Sequence, residues 1–420
     1  MRHFRLALVV FASALGLVRV HAQDDEKDRP PPVEIPDFSN LDDYVYVSKS
    51  TVTLGYRLLS GAKTRFFGSG HLVSATDSPG AATGTNVDRI YHDGAVHPDT
   101  RSTTRVDSDG NTIVDPATGG AFTDPVAPDG RTNSWNYTDL KQQTADGNLN
   151  FNSYTADINN ANTPLSKGAR NVGLELAMIH DMGKIGGSRA TWGIIAGMSV
   201  NDLAAKTSTN VLASITTLTD TYSLNGAPIP DPPYSAPSSV STTVTDSNGN
   251  AVVNSDGSSQ TASTDSTTLI SSQPISRTSG TSTSATSVLN DWKLHGAYYT
   301  LRAGPTVFLP ISTRLRANFS FGAALIYSGS TYSVTQTFTP DTGADIVDTS
   351  SSTLSRLLPG YFADASLQFD LTERTGFYAG AVFQSAGAYT QTINTDASHY
   401  STRVDLSNQN GLRAGMTIRF

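Results

Sequence analysis

The feature that most limits what this chain can become is the period of its apolar residues, which is two rather than 3.6. In Arg314–Tyr327, Leu315, Ala317, Phe319, Phe321, Ala323, Leu325 and Tyr327 share one side, and Arg314, Arg316, Asn318, Ser320 and Gly322 share the other. Phe362–Leu371 sets Ala363, Ala365, Leu367, Phe369 and Leu371 against Asp364, Ser366, Gln368 and Asp370. Val52–Leu58, Val172–Met178 and Thr191–Asn201 repeat the pattern. Side chains alternate across a strand, so each segment is a strand with one apolar and one polar face. Glutamate occurs only at Glu26, Glu34, Glu175 and Glu373, which excludes long Glu/Lys helices.

Each alternating run is close to the roughly 9–11 residues that a tilted strand needs to cross a bilayer. The links between runs sort by length. Short ones (Asp181–Ser188, Pro310–Thr313, Thr372–Gly376) take turns with long polar ones at 61–168, 206–290, 329–357 and 388–401. Short turns at one end and long loops at the other distinguish a membrane barrel from a soluble sandwich. The expected fold is therefore all-β: an antiparallel transmembrane β-barrel over 49–420. Eight strands are expected near 49–60, 170–181, 188–203, 293–309, 313–328, 360–371, 376–387 and 402–420. Ten is the alternative, if Lys63–Val73 adds a strand.

Met1–Ala22 has a basic start (Arg2, Arg5), an apolar core Leu6–Leu17, and small residues at Val20 and Ala22, the pattern of a secretory signal peptide (1–22). Residues 23–48 are charged and carry Pro30-Pro31-Pro32, which makes them a periplasmic Pro/Asp-rich linker. There is no cysteine, hence no disulfide or thiolate metal site. The formal charge is −8, and removal of 1–22 takes away three arginines and no acid, which argues against nucleic acid as a partner.

The chain ends GLRAGMTIRF, with Leu412, Ala414, Met416, Ile418 and Phe420 on one face. This ending, with the export signal, resembles bacterial outer-membrane β-barrel proteins of the small OmpA/Opa-like type. The resemblance implies that the last strand is an assembly signal read by the barrel-assembly machinery, with periplasmic chaperones and outer-membrane lipid as further partners. It implies an outer-membrane location.

If the apolar faces meet lipid, the polar faces point into a narrow lumen. Arg314, Asp370 and Arg419 fall on that face. Arg57, Arg302, Arg316 and Arg413 are expected to pair there with Glu175 and Asp364, because an isolated charge in such a space is costly. Trp192, Tyr298, Tyr299, Tyr327, Tyr361 and Phe377 are expected as interfacial anchors. The Ser/Thr-rich 206–290 is expected to be largely mobile. The related stretches Asp107–Asp115 and Asp246–Asn254 read as hairpin turns rather than calcium loops, since Gly110 falls at the fourth position and not the sixth. Tyr91, Trp135, Tyr137, Phe151 and Tyr154 either pack a second hairpin or form a ligand surface.

Chemistry-bearing motifs are few. His399-Tyr400-Ser401 resembles the His-x-Ser of an outer-membrane lipid A deacylase, but the orienting Glu of that family has no counterpart after Glu373. His92, Asp93 and His97 form the one weak metal candidate. No nucleotide, haem or zinc motif is present, so no cofactor is expected. The expected function is a plugged barrel displaying long surface loops for adhesion, ligand capture or envelope integrity. A porin-like channel is the alternative, and a lipid A-modifying enzyme stands last.

Overall fold

The computed structural model describes residues 49–74, 79–167, 170–254 and 257–420. The expected signal peptide and linker lie outside them. Among the described residues there is no α-helix, only a single 3-10 turn at Leu140–Gln142.

Twelve strands build the main sheet: β1 (Ser50–Ser60), β2 (Lys63–Val73), β3 (Asn148–Asn162), β4 (Asn171–Lys184), β5 (Thr191–Ser223), β6 (Ser276–Pro310), β7 (Leu315–Phe338), β8 (Ile346–Asp370), β9 (Thr375–Ala386), β10 (Ala388–Asn394), β11 (Ser398–Asp405) and β12 (Gln409–Arg419). The short strand Ser166–Lys167 joins them beside β2. Eight of the twelve close a ring in the order β1-β4-β5-β6-β7-β8-β9-β12 and back to β1. All of these ladders are antiparallel. Closure is explicit at Gly55, which lies opposite Glu175 of β4 on one side and Gly415 of β12 on the other.

The period of two is realised around this ring. Leu54, Leu174, Leu301, Phe321, Leu367 and Leu412 are half or more exposed on its outside. Their neighbours Arg57, Glu175, Arg302, Asp364 and Arg413 are buried inside. An apolar exterior around a polar interior inverts a soluble fold and suits a hydrocarbon surround.

The strands do not stop at the top of this belt. β5 has 33 residues, which at about 3.3 Å per residue is about 110 Å of strand, several times what a bilayer requires. The upper half of β5 pairs with β6 on one side (Thr221↔Ser276) and with β3 on the other (Ser223↔Asn148). β3 continues to β2, β2 to β11, and β11 to β10. Lys63–Val73 is therefore a strand of its own, and it pairs with no member of the ring. Within this upper tier lies an apolar core that includes Phe66, Trp292, Tyr332, Val334, Phe338 and Tyr400. Phe66 stacks on both Trp292 and Tyr332, with centroids 6.1 and 5.8 Å apart. Higher still, Arg89–Tyr91, Gly94–Val96, Trp135–Tyr137 and Tyr234–Ala236 form a four-stranded cap over Tyr91, Trp135, Tyr137, Phe151 and Tyr222. These aromatics pack the cap and leave no aromatic ligand surface; Tyr154 is buried in the tier below.

The structure corrects the expected loops. Residues 61–168 contain β2, β3 and part of the cap. Residues 206–290 are strand as far as Ser223 and again from Ser276; 329–357 is strand except for the turn 339–345; 388–401 is a hairpin of β10 and β11. Residue 402, where a last ring strand was expected to begin, lies in β11, and the last ring strand begins at Gln409. The expectation of mobility in 206–290 weighed mean apolar content. What matters in a sheet is one apolar residue in two. Val211, Ala213, Ile215 and Val288 supply it on the inward side, while threonine, β-branched, suits the strand backbone on the outward side.

The two related stretches fold alike. Asp107 Oδ1 accepts from the N–H of Asp109 and Asn111, and Asp246 Oδ1 accepts from the N–H of Asn248 and Asn250. Gly110 (φ +84°) and Gly249 (φ +82°) take the left-handed conformation that each turn needs. The carboxylates thus serve the backbone as turn caps.

If 206–223 and 276–290 are ladder rather than loop, their amides will exchange slowly. Hydrogen exchange on the refolded protein in detergent should show protection across Thr207–Thr221 comparable with Trp192–Val200, and rapid exchange at the tips 107–111 and 246–250.

Candidate functional site: the filled lumen

Five of the eight ring strands send a charged residue to one level of the lumen: β1 (Arg57), β4 (Glu175), β6 (Arg302), β8 (Asp364) and β12 (Arg413). Glu175 Oε1 accepts from Arg413 Nη1 at 2.8 Å and lies 2.9 Å from Arg302 Nη2, while its Oε2 is 3.3 Å from Arg57 Nε. Asp364 takes Arg302 Nη1 at 2.9 Å on one oxygen and Arg413 Nη2 at 2.6 Å on the other. The side chains of Arg57, Glu175, Arg302 and Asp364 have no solvent exposure. Three guanidinium groups and two carboxylates leave one excess positive charge. Neutral partners spread it: Arg57 donates to Ser199 Oγ (2.5 Å) and Gln384 Oε1 (3.0 Å), Arg302 lies over the Phe362 ring at 5.1 Å, and Arg413 over Tyr378 at 5.3 Å.

Layers continue above and below. Above, Gln384 Nε2 donates to Thr300 Oγ1 and to Gln409 Oε1, and Gln409 Nε2 donates to Tyr298 Oη at 2.8 Å. Below, Asn318 donates to Gln368 Oε1 and Gln368 donates to Thr417 Oγ1. Arg419 pairs with Asp370 at 2.8 Å near the short-turn end.

Of the six residues expected to form the network, the structure brings together five. Arg316 stands apart, over the Phe308 ring at 5.1 Å. The ladder gives the reason: Ser320 is opposite Asp364, whereas Arg316 is opposite Gln368. It shares the inward face but sits four residues lower, about 13 Å at about 3.3 Å per residue. Arg314 is exposed in a turn, not in the lumen. Tyr298 is fully buried and points inward, so it is no interfacial anchor; its parity with Arg302 carries that information. Trp192, Tyr327, Tyr361 and Phe377 are outward and exposed, and Tyr299 is outward and half-buried. Leu412, Ala414, Met416, Ile418 and Phe420 all face outward on β12 or just beyond it. Sequence reasoning missed Ser199, Thr300, Gln384, Gln409 and Phe362. Their one signal is that they fall on inward positions of ring strands.

The remaining candidates disperse. Asp93 turns away from the histidines and accepts from Asn152 N (2.7 Å), Asn152 Nδ2 (2.7 Å) and Thr342 Oγ1 (2.6 Å), fastening the cap to β3 and to the β7–β8 turn. Burial pushes its carboxyl above the usual carboxylate range. His92 Nε2 meets the carbonyl of Ala344, and His97 Nδ1 meets Asp88. Among the described residues no group of three acidic, His or Cys side chains could hold a metal ion. His399 lies exposed on β11, and Tyr400 between it and Ser401 is buried in the upper core, where burial raises its hydroxyl to about 12. In the cap, Asp220 is buried, paired with Arg277 at 2.6 Å, and accepts from Tyr91 Oη at 2.5 Å.

A closed antiparallel ring with an apolar exterior, charged interior and short turns at one end is the plan of one class. The fold is that of a bacterial outer-membrane β-barrel. No family model matches the chain, and no curated protein matches it significantly. Among solved structures it is similar to the outer membrane protease OmpT from Escherichia coli (9% identity, 88% of this chain and 96% of that one, TM-score 0.28). It is also similar to Ail, the attachment invasion locus protein of Yersinia pestis (10% identity, 88% and 99%, TM-score 0.19), and to a Pseudomonas aeruginosa FadL homologue (8% identity, 89% and 91%, TM-score 0.18). These likenesses are weak, and the barrel stands on its own ladders and apolar belt.

Asp364→Ala leaves Arg302 and Arg413 short of a counter-charge in a dry site and should cost about 3–5 kcal/mol. Arg316→Met removes a contact with an aromatic ring and longer-range attraction to Asp370 and Asp181, but no ion pair, and should cost less than about 1 kcal/mol. Urea unfolding of the refolded protein in lipid vesicles measures both, and equal losses would contradict the network geometry.

Proposed function

We propose that the chain is an integral outer-membrane barrel with a closed lumen, and that its working part is the upper tier and cap, displayed at the cell surface for adhesion, ligand capture or envelope integrity. One observation carries the reading. The charged layer spans the lumen from five strands, four of its side chains without solvent exposure and the fifth, Arg413, at 5%, and the space above it is occupied by the core around Phe66, Trp292 and Tyr332. A conducting path needs water beside its charges, and these side chains are almost wholly sealed from solvent. The large investment in ordered structure beyond the belt, where a pore needs none, supports display.

In the same reading the short-turn end faces the periplasm. Outward Leu412, Ala414, Met416, Ile418 and Phe420 form the segment that periplasmic chaperones and the barrel-assembly machinery engage. Trp192, Tyr299, Tyr327, Tyr361 and Phe377 anchor the barrel at the lipid interfaces.

Two measurements test this. The refolded protein in a planar bilayer should give no stable conductance steps; reproducible steps would return the lumen to a channel role. On intact cells, added protease should cut at the tips near 107–119 and 246–250 without permeabilisation. Cutting only after permeabilisation would invert the orientation and overturn display.

A further inference from the structure

The upper part of β8 has an edge that nothing in the ring covers. From Ile346 to Pro359, β8 is paired on one side with β7, from Phe338↔Ile346 to Leu325↔Pro359 without a register break. Its ladder with β9 begins only at Gly360↔Ala386. β10 lies beyond that point, but its ladder runs to β11 alone. Among the described residues the hydrogen bonds that cross the seam come from Gln391, whose Nε2 donates to the Ser352 carbonyl at 2.8 Å and to Ser352 Oγ at 3.2 Å, while Ile346, Leu354 and Leu358 turn inward against the upper core.

In an antiparallel strand every second residue points both its N–H and its C=O to the same edge. Residues 346–358 therefore present a row of backbone donors and acceptors along the seam. Edges of this length are ordinarily blunted by Lys, Pro, a bulge or a covering loop. Ile346–Leu358 contains no Lys, Pro or Gly, and is made of Ser, Thr, Ile, Val and Leu with two charges, Asp348 and Arg356. Asp341 and Asp345 are exposed in the adjoining turn, which makes the upper end of the edge acidic.

We propose that the 346–358 edge of β8 captures an extended segment of a partner protein by strand addition. The segment pairs antiparallel, with a basic residue opposite Asp348 and an acidic one opposite Arg356. Two other occupants fit less well. A second copy in the same membrane would run parallel and set the two acidic ends side by side. A copy in a facing membrane would run antiparallel, but the level of Ile346 corresponds through the ladders to Phe338, Val288 and Val211. β5 continues from Val211 to Ser223, about 40 Å at about 3.3 Å per residue, and the cap sits there. That mass would occupy the facing membrane. Main-chain hydrogen bonds supply affinity in strand addition, and the charges set direction.

The biological reach of this inference rests on surface display, but its test does not, because it is done on the full-length refolded protein in detergent. The probe is a fluorescent synthetic peptide of alternating Thr and Val, with Glu nearer its N-terminus and Lys nearer its C-terminus at the spacing of Arg356 and Asp348. Saturable binding is expected, with new hydrogen-exchange protection confined to 346–358 and 388–394. N-methylation of alternate peptide nitrogens on both edges should abolish binding. Exchanging Glu and Lys should weaken binding about fivefold or more; Asp348→Lys should abolish that preference, and Asp348→Lys combined with Arg356→Glu should reverse it. No saturable binding, equal binding of the N-methylated peptide, or protection at the arms 102–125 or 239–265 would overturn the proposal. Conductance and protease accessibility would be untouched by any of these results, so failure here and failure of surface display are separable.

Discussion

Everything in this molecule follows from the need to satisfy backbone hydrogen bonds where no water can. In hydrocarbon an unpaired peptide group costs several kcal/mol, so a sheet there must have no edge. β1 meets the condition by taking β4 on one side and β12 on the other, joining the two ends of the chain's described part. Closure then dictates the side chains. Alternate residues must face lipid or lumen, and a lumen eight strands wide has room for side chains but little else.

What fills that lumen is a second constraint, electrostatic rather than geometric. Buried ion pairs contribute little net stability, because desolvation offsets much of their attraction, yet removal of one partner is severely destabilising. The Arg57–Glu175–Arg302–Asp364–Arg413 layer therefore acts less as glue than as a register lock. A one-residue slip of any of the five strands would turn its charge to the lipid face, and a two-residue slip would move it out of reach of its partners. The Gln384–Gln409–Tyr298 layer above repeats the device with neutral groups.

Much of this was legible in the sequence, and the limits of legibility are physical. Alternation assigns a residue to a face, so Arg57, Glu175, Arg302, Asp364 and Arg413 could be named as inward. It does not assign height, which depends on where each turn falls. Arg316 has the right face and the wrong level for that reason, opposite Gln368 instead of Asp364. Tyr298 shows the reverse error: its chemistry suggested an interface, but its parity with Arg302 put it inside. The 206–290 segment was misjudged because composition averages over both faces of a strand. Val211, Ala213, Ile215 and Val288 are too few to raise the mean, but enough to line one side of a ladder that β3 and β6 complete.

That same arithmetic accounts for a chain only 37% hydrophobic holding three successive interiors. A helix-based core needs a broad apolar stripe on each helix, whereas a tall closed sheet needs one residue in two, and in the membrane layer even those turn outward. The upper tier lacks the lipid that enforces closure below, and there the sheet is permitted an edge. β8 leaves β9 at Gly360 and runs on to Ile346 with no strand laddered to its other side among the described residues. The seam begins near the upper rim of the apolar belt, where Tyr361 and, four residues higher, Leu357 with its partner Tyr327 still face outward, and above that rim water can solvate the peptide groups that hydrocarbon would forbid. The boundary between compulsory and optional closure is thus also the boundary between the part of the chain that holds its place and the part free to engage something else.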